Sequence, residues 1–152
     1  MVSWHDAQDF IAWLNQQTGK NYQLPSEAQW EYACRAGGRQ AYCGGNNIDD
    51  VAWYIRNIVG GLHPVGQKQA NGFGLYDMSG NVLEWCRDWY AGDYYKHSPP
   101  ADPNGPSSGE ARVNRGGSWM DSPRRLRSAN RDYDSPGSRS VNLGFRLSLP
   151  AQ

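Results

Sequence analysis

The sequence predicts a small α+β domain in which a small antiparallel sheet and two helices carry extensive ordered loops. Composition is the first reason. The 152 residues include 7 Trp, 9 Tyr, 18 Gly and 9 Pro, which combines side chains that favour burial with residues that interrupt regular elements. The second reason is that regular patterns are few: two helical stretches near the N-terminus and one alternating stretch near the C-terminus. This length favours a single domain over residues 1–152.

The first helix is expected from Ser3 to Gln17. Ser3 and Asp6 resemble a capping box, and apolar side chains recur behind them at helical spacing. Gly19 follows, and glycine is suited to the left-handed conformation that often ends a helix. These three signals together predict one amphipathic helix at the N-terminus.

The second helix is expected to begin after Ser26, which is a favourable N-cap residue, and to end at Gly37-Gly38. The residues that follow show little periodicity. Their Asn/Asp-rich segment 46–50 is interpreted as a turn that caps a short helix reaching Tyr54. A calcium-binding loop is the alternative for this segment, because its side chains are rich in oxygen.

The most unusual stretch runs from Asn71 to Trp89. Its glycines are too frequent for a helix and its aromatic side chains are too many for a solvated loop, so we expect a compact, irregular backbone. The polar groups of such a backbone need side chains, water or an ion as partners. Asp77 and Glu84 lie in the middle of this stretch, and Asp88 follows them.

Two strands are expected in the C-terminal half. Residues 112–119 predict a strand that ends in a glycine kink, and residues 141–149 alternate strictly between apolar and polar side chains. The apolar face of the second strand would contain Val141, Leu143, Phe145, Leu147 and Leu149. The preceding residues 90–110, rich in Tyr, Pro and Gly, are interpreted as an ordered surface loop.

Charge and cysteine content restrict the function classes. The formal net charge is +0, which indicates neither a nucleic acid nor a membrane as partner. No apolar run has membrane-spanning length and no signal-peptide pattern occurs at the N-terminus, so a soluble protein is expected. The three cysteines, Cys34, Cys43 and Cys86, allow one disulfide at most. We interpret them as buried free thiols, which slightly favours a reducing, cytoplasmic location.

Five segments together resemble one family, the formylglycine-generating enzymes, whose domain is that of the sulfatase-modifying factors. The segments are LPSEAQWEYACRAG (24–37), NGFGLYDMSGNVLEW (71–85), RGGSW (115–119), RSANR (127–131) and NLGFR (142–146). They occur in the family's order and extend over nearly the whole chain. The resemblance implies a variant of the C-type-lectin fold. It also implies that strands which precede the first helix in the family are absent here.

The resemblance does not settle the function, because the family is mixed. Some members oxidise a cysteine of a client sulfatase with copper held by two cysteines, whereas others, including diversified proteins of retroelement systems, only bind. The two catalytic cysteines follow the RGGS motif. Here the first position is Asp121, the segment to Arg127 is shorter, and no cysteine follows Cys86. Because copper needs soft sulfur ligands, we expect no copper and no formylglycine generation.

A calcium site is what the resemblance implies within the glycine-rich stretch. Its ligands would be the side chains of Asp77 and Glu84 and the backbone carbonyls of Gly80 and Val82. Such a set matches the preference of Ca²⁺ for hard oxygen ligands. The alternative is that the two carboxylates pair with buried arginines.

The lead interpretation is a non-catalytic module that binds a protein or a small-molecule ligand through the loops at residues 90–100 and 119–141. In family members that bind, the second region carries the ligand surface, and its Tyr, Ser and Asp content resembles that of antibody paratopes. The candidate ligand-binding residues are Tyr94, Tyr95, Trp119, Asp121, Arg124, Arg125, Asp132, Tyr133 and Arg139. Ordinary surface loops are the alternative. Arginines of the family motifs are expected to brace the loops against carboxylates: Arg115, Arg127, Arg131 and Arg146.

Two other functions stay open. A divergent enzyme could use Asp121 and its neighbours in the same pocket, although no nucleophile–base pair is evident. A structural or accessory subunit could act as an oligomer. If the family's N-terminal strands are missing, the strand at residues 141–149 has an open edge, and such an edge recruits another chain. We therefore expect a homo-oligomer that forms through this edge.

Overall fold

The computed structural model describes residues 1–150 and has the predicted α+β architecture. Three helices come first: α1 (Trp4–Thr18), α2 (Glu27–Arg35) and α3 (Ile48–Val51). The later elements are β1 (Leu83–Trp89), a 3₁₀ turn (Tyr94–Lys96), β2 (Arg112–Arg115), β3 (Asp132–Asp134) and β4 (Leu143–Phe145). Loops make up most of the remaining chain.

The four strands form one sheet in the order β3-β2-β1-β4. β2 lies antiparallel to both β1 and β3, whereas β4 lies parallel to β1. The sheet is therefore mixed, and the prediction of an antiparallel sheet is wrong for β4. The reason is that β4 reaches its place by crossing from one edge of the sheet to the other, and a hairpin, which enforces antiparallel pairing, does not connect it.

Both long helices begin as the sequence predicts. The Ser3 hydroxyl accepts the N–H of Asp6 at 3.1 Å, and the Asp6 carboxylate accepts the N–H of Ser3 at 2.7 Å, which completes a capping box. Ser26 forms the same arrangement at α2. Gly19 ends α1 with φ 66°, and Ala36 ends α2 in the same left-handed region, one residue before the predicted glycines.

The two long helices enclose the sheet. α1 covers one face through a core of Ala7, Ile11, Leu24, Leu83, Trp85 and Leu143. α2 covers the other through Trp30, Cys34, Cys43, Met78, Cys86 and Val113. A third cluster lies under the loops and contains Val51, Ala52, Tyr54 and Leu126. Because successive side chains of a strand point to opposite faces, Trp85 packs towards α1 and Cys86 towards α2.

Two strand predictions need correction. The stretch Asn71–Trp89 is irregular only as far as Val82, since Leu83–Trp89 forms β1, an inner strand of the sheet. Conversely, the strand predicted at residues 141–149 is regular only at Leu143–Phe145, with an isolated bridge between Ser148 and Gln23 beyond it. The ends of that segment, Val141 and Leu149, are exposed because no layer covers them.

The prediction of three free thiols is also wrong. Cys34 and Cys43 form a disulfide with a Cα–Cα distance of 4.7 Å, and only Cys86 is free and buried. The left-handed turn at Ala36 reverses the chain after α2 and returns Cys43 to Cys34. The argument for a reducing compartment therefore loses its basis. No helix within residues 1–150 is long and apolar enough to cross a membrane.

Candidate ligand-binding surface and cation site

Asn81 joins three loops that surround the predicted ligand residues. Its N–H donates to the carbonyl of Trp53 and its carbonyl accepts the N–H of Trp119, both at 2.9 Å. Its side-chain amide accepts the N–H of His63 at 3.3 Å and donates to the His63 carbonyl at 3.2 Å. Asn81 is buried with φ 59°, and Asn is one of the few residues that adopt this left-handed conformation readily. One residue thus fixes three backbone segments, two through its backbone groups and one through its side chain.

The RGGS segment turns sharply after β2 and delivers Asp121. Gly117 has φ 68°, and a Cβ there would lie 3.0 Å from the carbonyl oxygen of Arg125, so glycine is required. Oδ2 of Asp121 accepts the N–H of Ser118 at 3.0 Å and its hydroxyl at 2.7 Å. Asn142 donates to the same hydroxyl at 3.2 Å. Asp121 therefore closes a local turn by hydrogen bonds.

Arg125 connects this turn to β3. One of its terminal nitrogens lies 3.3 Å from Oδ1 of Asp121, and the other lies 3.3 Å from Oδ2 of Asp132. The hydrogen bond to Asp121 and the charge of Asp132 raise the pKa of Arg125. Arg124, like Arg125, is exposed. Ion pairs thus join three of the predicted site residues, Asp121, Arg125 and Asp132, and Trp119 and Arg124 neighbour them in the sequence.

A tyrosine cluster lies beside β3. Tyr133 stacks on Tyr90 with 4.2 Å between ring centroids, and Tyr94 meets Tyr95 edge to face at 5.2 Å. The guanidinium carbon of Arg131 lies 4.9 Å from the ring centroids of both Tyr90 and Tyr95. Burial raises the pKa of the Tyr95 hydroxyl. The structure therefore brings the three predicted tyrosines together around a motif arginine.

Three of the four motif arginines brace the fold as predicted. Arg131 binds Glu27 at 2.7 and 2.9 Å, and Arg115, which has no exposed surface, binds the same carboxylate at 3.3 Å. Arg146 binds Glu84. Arg127 does not follow this pattern, because it is exposed and its Nε donates to a neighbouring backbone carbonyl.

Arg139 is placed apart from the other predicted ligand residues. Its guanidinium binds both carboxylate oxygens of Asp6, at 2.7 and 2.6 Å, where α1 begins. These hydrogen bonds, together with those from Ser3, lower the pKa of Asp6. Arg139 therefore fastens the loop after β3 to the first helix.

Sequence reasoning missed Trp53 and His63, which Asn81 holds beside the surface. Its backbone N–H binds Trp53, and its side-chain amide binds His63. Their rings stack at 3.8 Å, and Nζ of Lys68 lies 4.0 Å from the Trp53 ring. The indole nitrogens of Trp53 and Trp119 are buried without a hydrogen-bond partner among the described residues. No local pattern marks these residues, since Trp53 follows a short helix in a segment with little periodicity.

Three of the four predicted calcium ligands line one cavity of about 390 Å³: Asp77, Val82 and Glu84. Asp77 has φ 56°, and its Oδ2 accepts the N–H of Gly66 at 2.7 Å. The carbonyl oxygens of Gly80 and Val82 accept no backbone hydrogen bond from the loops of residues 1–150. Two carboxylates and two such carbonyls are a suitable donor set for a hard cation.

Glu84 also makes the ion pair that the sequence left as the alternative. Its Oε2 accepts Nε of Arg146 at 2.6 Å and the indole N–H of Trp30 at 2.7 Å, and its Oε1 accepts a second Arg146 nitrogen at 2.7 Å. Burial opposes the charge of Arg146, but the attraction of Glu84 outweighs it and raises the pKa of the guanidinium. No three His, Cys, Asp or Glu side chains gather as a metal-binding group in the described part of the chain, and the Asn/Asp turn at α3 is a helix cap.

Comparison with known proteins gives the family. Residues 1–150 match the model of the sulfatase-modifying factor enzyme 1-like domain. Over 169 aligned residues the chain is 41% identical to the formylglycine-generating enzyme of Streptomyces coelicolor, which covers 99% of this chain and 52% of that protein. The chain thus spans about half the length of this curated relative.

Two solved structures extend the likeness to the fold. Treponema denticola variable protein 1 is 44% identical with a TM-score of 0.80, over 84% of this chain and 47% of that one. PvdO from Pseudomonas aeruginosa is 32% identical with a TM-score of 0.85, over 96% of this chain and 59% of that one. The chain therefore belongs to the sulfatase-modifying factor enzyme 1-like family, the family of the formylglycine-generating enzymes.

Proposed function

We propose that this chain is a non-catalytic binding module whose ligand surface lies on the loops at residues 119–141 and 90–100. The position of Asp121 carries the proposal. The resemblance assigns the first catalytic cysteine of the enzymes to this position, whereas Asp121 is held in hydrogen bonds by Ser118 and Arg125. An oxygen ligand fixed in this way is a poor substitute for a thiolate that binds copper.

The cysteines that the chain does contain lie elsewhere. Cys34 and Cys43 are joined in a disulfide, and Cys86 is buried between the sheet and α2. Burial raises the pKa of the Cys86 thiol well above its ordinary value, which disfavours the thiolate that metal binding and nucleophilic attack require. These positions support a domain that binds without thiol chemistry.

The surface around Asp121 has the properties of a preorganised binding face. Tyr133 is 51% exposed but its ring is fixed on Tyr90. Arg125 is exposed but is held between Asp121 and Asp132. Tyrosine offers a large contact area with few rotatable bonds, and side chains that are already ordered lose little entropy when a ligand binds. Such a face suits a protein or a polar small-molecule ligand.

The first experiment tests the absence of catalysis. The purified chain is incubated with copper(I), oxygen and a synthetic cysteine peptide of the kind that formylglycine-generating enzymes accept, and a hydrazide probe measures aldehyde. We expect no aldehyde, while a catalytic formylglycine-generating enzyme in parallel shows that the assay works. Aldehyde formation by this chain would overturn the proposal in favour of a divergent enzyme.

We also propose that Ca²⁺ stabilises the domain at Asp77, Gly80, Val82 and Glu84. Two observations support the site. The carbonyl oxygens of Gly80 and Val82 accept no backbone hydrogen bond from the loops of residues 1–150, and the carboxylates of Asp77 and Glu84 line a cavity together with Val82. Arg146 and the Trp30 indole occupy both lone pairs of Glu84 Oε2, whereas Oε1 accepts only one Arg146 nitrogen. The second lone pair of Oε1 can therefore face a cation. Water would complete the six to eight oxygens that Ca²⁺ prefers.

Thermal unfolding tests the calcium proposal. An ion that binds only the folded state, at a hundred times its Kd, stabilises it by about 2.7 kcal/mol, and we expect a rise in Tm of roughly 5–10 °C with Ca²⁺ over EDTA. Asp77→Ala should abolish this rise. The matched control is Asp50→Ala, in the exposed turn at α3, which should keep it. Equal Tm values in EDTA and Ca²⁺ would refute the site.

A further inference from the structure

Within residues 1–150, β4 leaves one edge of the sheet without a partner strand. It is the last strand in the order β3-β2-β1-β4, and β1 is its one partner strand in this described range. The N–H of Leu83 donates to the carbonyl of Asn142 at 2.8 Å. By the alternation of a parallel ladder, the backbone groups of Gly144 then point towards β1, and those of Phe145 point away from it.

The same orientation continues beyond β4. Ser148 exchanges both backbone hydrogen bonds with Gln23, at 2.8 and 3.0 Å, so the backbone groups of Leu147 also point outward. Among the hydrogen bonds of the loops in residues 1–150, none uses the N–H or C=O of Phe145 or Leu147. The segment therefore presents donors and acceptors at the spacing that an added strand requires.

An aromatic shelf adjoins this edge, formed by Phe10, Trp13 and Phe145. The ring of Phe10 lies 5.8 Å from that of Trp13 and 5.8 Å from that of Phe145. Phe10 is 42% exposed and Trp13 is 55% exposed, although both belong to a helix that covers the core. A contiguous exposed apolar patch of this kind marks an interaction site.

Two usual protections of an edge strand, proline and lysine, are missing from residues 141–149. Natural edges carry lysine, proline, a bulge or a covering element. Residues 141–149 contain no proline and one charged residue, Arg146. Its guanidinium is engaged by Glu84 beneath the sheet, so it does not repel an approaching strand.

We propose that the open edge and the aromatic shelf form a self-association surface, on which a second copy of this chain docks with β4 antiparallel to β4. A two-fold axis perpendicular to the sheet would pair the two Phe145 residues at the centre and set Leu143 of each copy opposite Leu147 of the other. The same axis keeps both α1 helices on one face, so the two shelves meet. The partner is a second copy because such an isologous contact satisfies the edges of both chains at once, and because the uncharged shelves meet without burying a charge.

Light scattering on a sizing column tests the surface. We expect the wild-type chain at high micromolar concentration to show twice the monomer mass of 17.0 kDa. Trp13→Glu introduces the charge twice in each dimer, and we expect the dissociation constant to rise by at least about 100-fold, so that the variant is a monomer. The matched control is Val59→Glu, since Val59 is an apolar residue that is 85% exposed on a loop. This control should remain a dimer.

Circular dichroism confirms that each variant is folded before its mass is compared. A wild-type monomer, a folded dimer of Trp13→Glu, or dissociation by Val59→Glu alone would each overturn the proposal. None of these outcomes depends on the result of the aldehyde assay or of the thermal unfolding with Ca²⁺, so this proposal can fail or succeed separately from the proposed function.

Discussion

Glu27 lies at the centre of the buried charge network, and its replacement is expected to destabilise the domain strongly. Glu27 is 2% exposed and binds Arg131 at 2.7 and 2.9 Å and Arg115 at 3.3 Å. Glu27→Gln keeps the shape of the side chain but removes its charge. Arg115, which is fully buried, would then have lost one of its two carboxylate partners. Removal of one partner from a buried ion pair costs about 3–5 kcal/mol.

The lower end of that range applies here. Arg115 also binds Glu31 and the carbonyl of Ser128, so its charge keeps part of its compensation. We therefore expect a loss of about 3 kcal/mol. For a chain of this length each kcal/mol lowers Tm by about 2–4 °C, which gives a fall of roughly 6–12 °C. Calorimetry of the wild type and of Glu27→Gln measures the fall in Tm, and urea denaturation measures the loss of unfolding free energy.

The control for this substitution is Arg139→Gln, which removes an exposed ion pair with Asp6 and leaves the capping box of α1 intact. Its Tm should equal that of the wild type, because exposed pairs contribute little. A fall of less than about 2 °C for Glu27→Gln, or an equal fall for the two variants, would refute the view that the buried network holds α2 to β2.

Two further predictions concern the disulfide and pH. Replacement of Cys34 and Cys43 by serine should lower stability by about 2–3 kcal/mol, because the cross-link over nine residues no longer restricts the unfolded chain; urea denaturation measures the loss, and three alkylated thiols in the non-reduced, unfolded protein would contradict the bond. Burial raises the pKa of Asp88 to about 6 from 3.8, so the folded state holds this proton more tightly and stability should fall as pH rises between these two values. Asp88→Asn should remove that part of the slope in unfolding free energy, and an unchanged slope would count against the assignment.

Local signals were sufficient for the helices but not for the central strand. Ser3 and Ser26 predict both capping boxes because each box involves residues only three positions apart. β1 escaped prediction because Glu84 and Asp88 place carboxylates in a buried strand. Their partners come from the residue after β4 and from α2: Arg146 binds Glu84, and the N–H of Glu27 donates to Asp88. No local pattern reveals such distant compensation.

In the candidate site, too, the residues within short motifs could be predicted, and those that depend on distant partners could not. Motif resemblance located Asp121 and the residues that line the cavity with Asp77, because these positions lie within short, ordered segments. Arg139 was grouped with them from its loop position, but its partner Asp6 is 133 residues away in the sequence. The disulfide differs, because Cys34 and Cys43 are only nine residues apart, but their pairing depends on the chain reversal after α2, where Ala36 and Gly37 adopt positive φ.

Asn81 holds the surface loops in a way that does not depend on the side chains that the loops carry. Every hydrogen bond it makes to them ends on a backbone atom, the carbonyl of Trp53, the N–H of Trp119, and both groups of His63. Backbone groups are the same whatever side chain is attached, so exposed positions such as Met120 and Ser122 can change freely while the loops keep their course. A library randomised at such positions would vary the proposed ligand surface, while the hydrogen bonds of Asn81 to the loop backbones would stay the same.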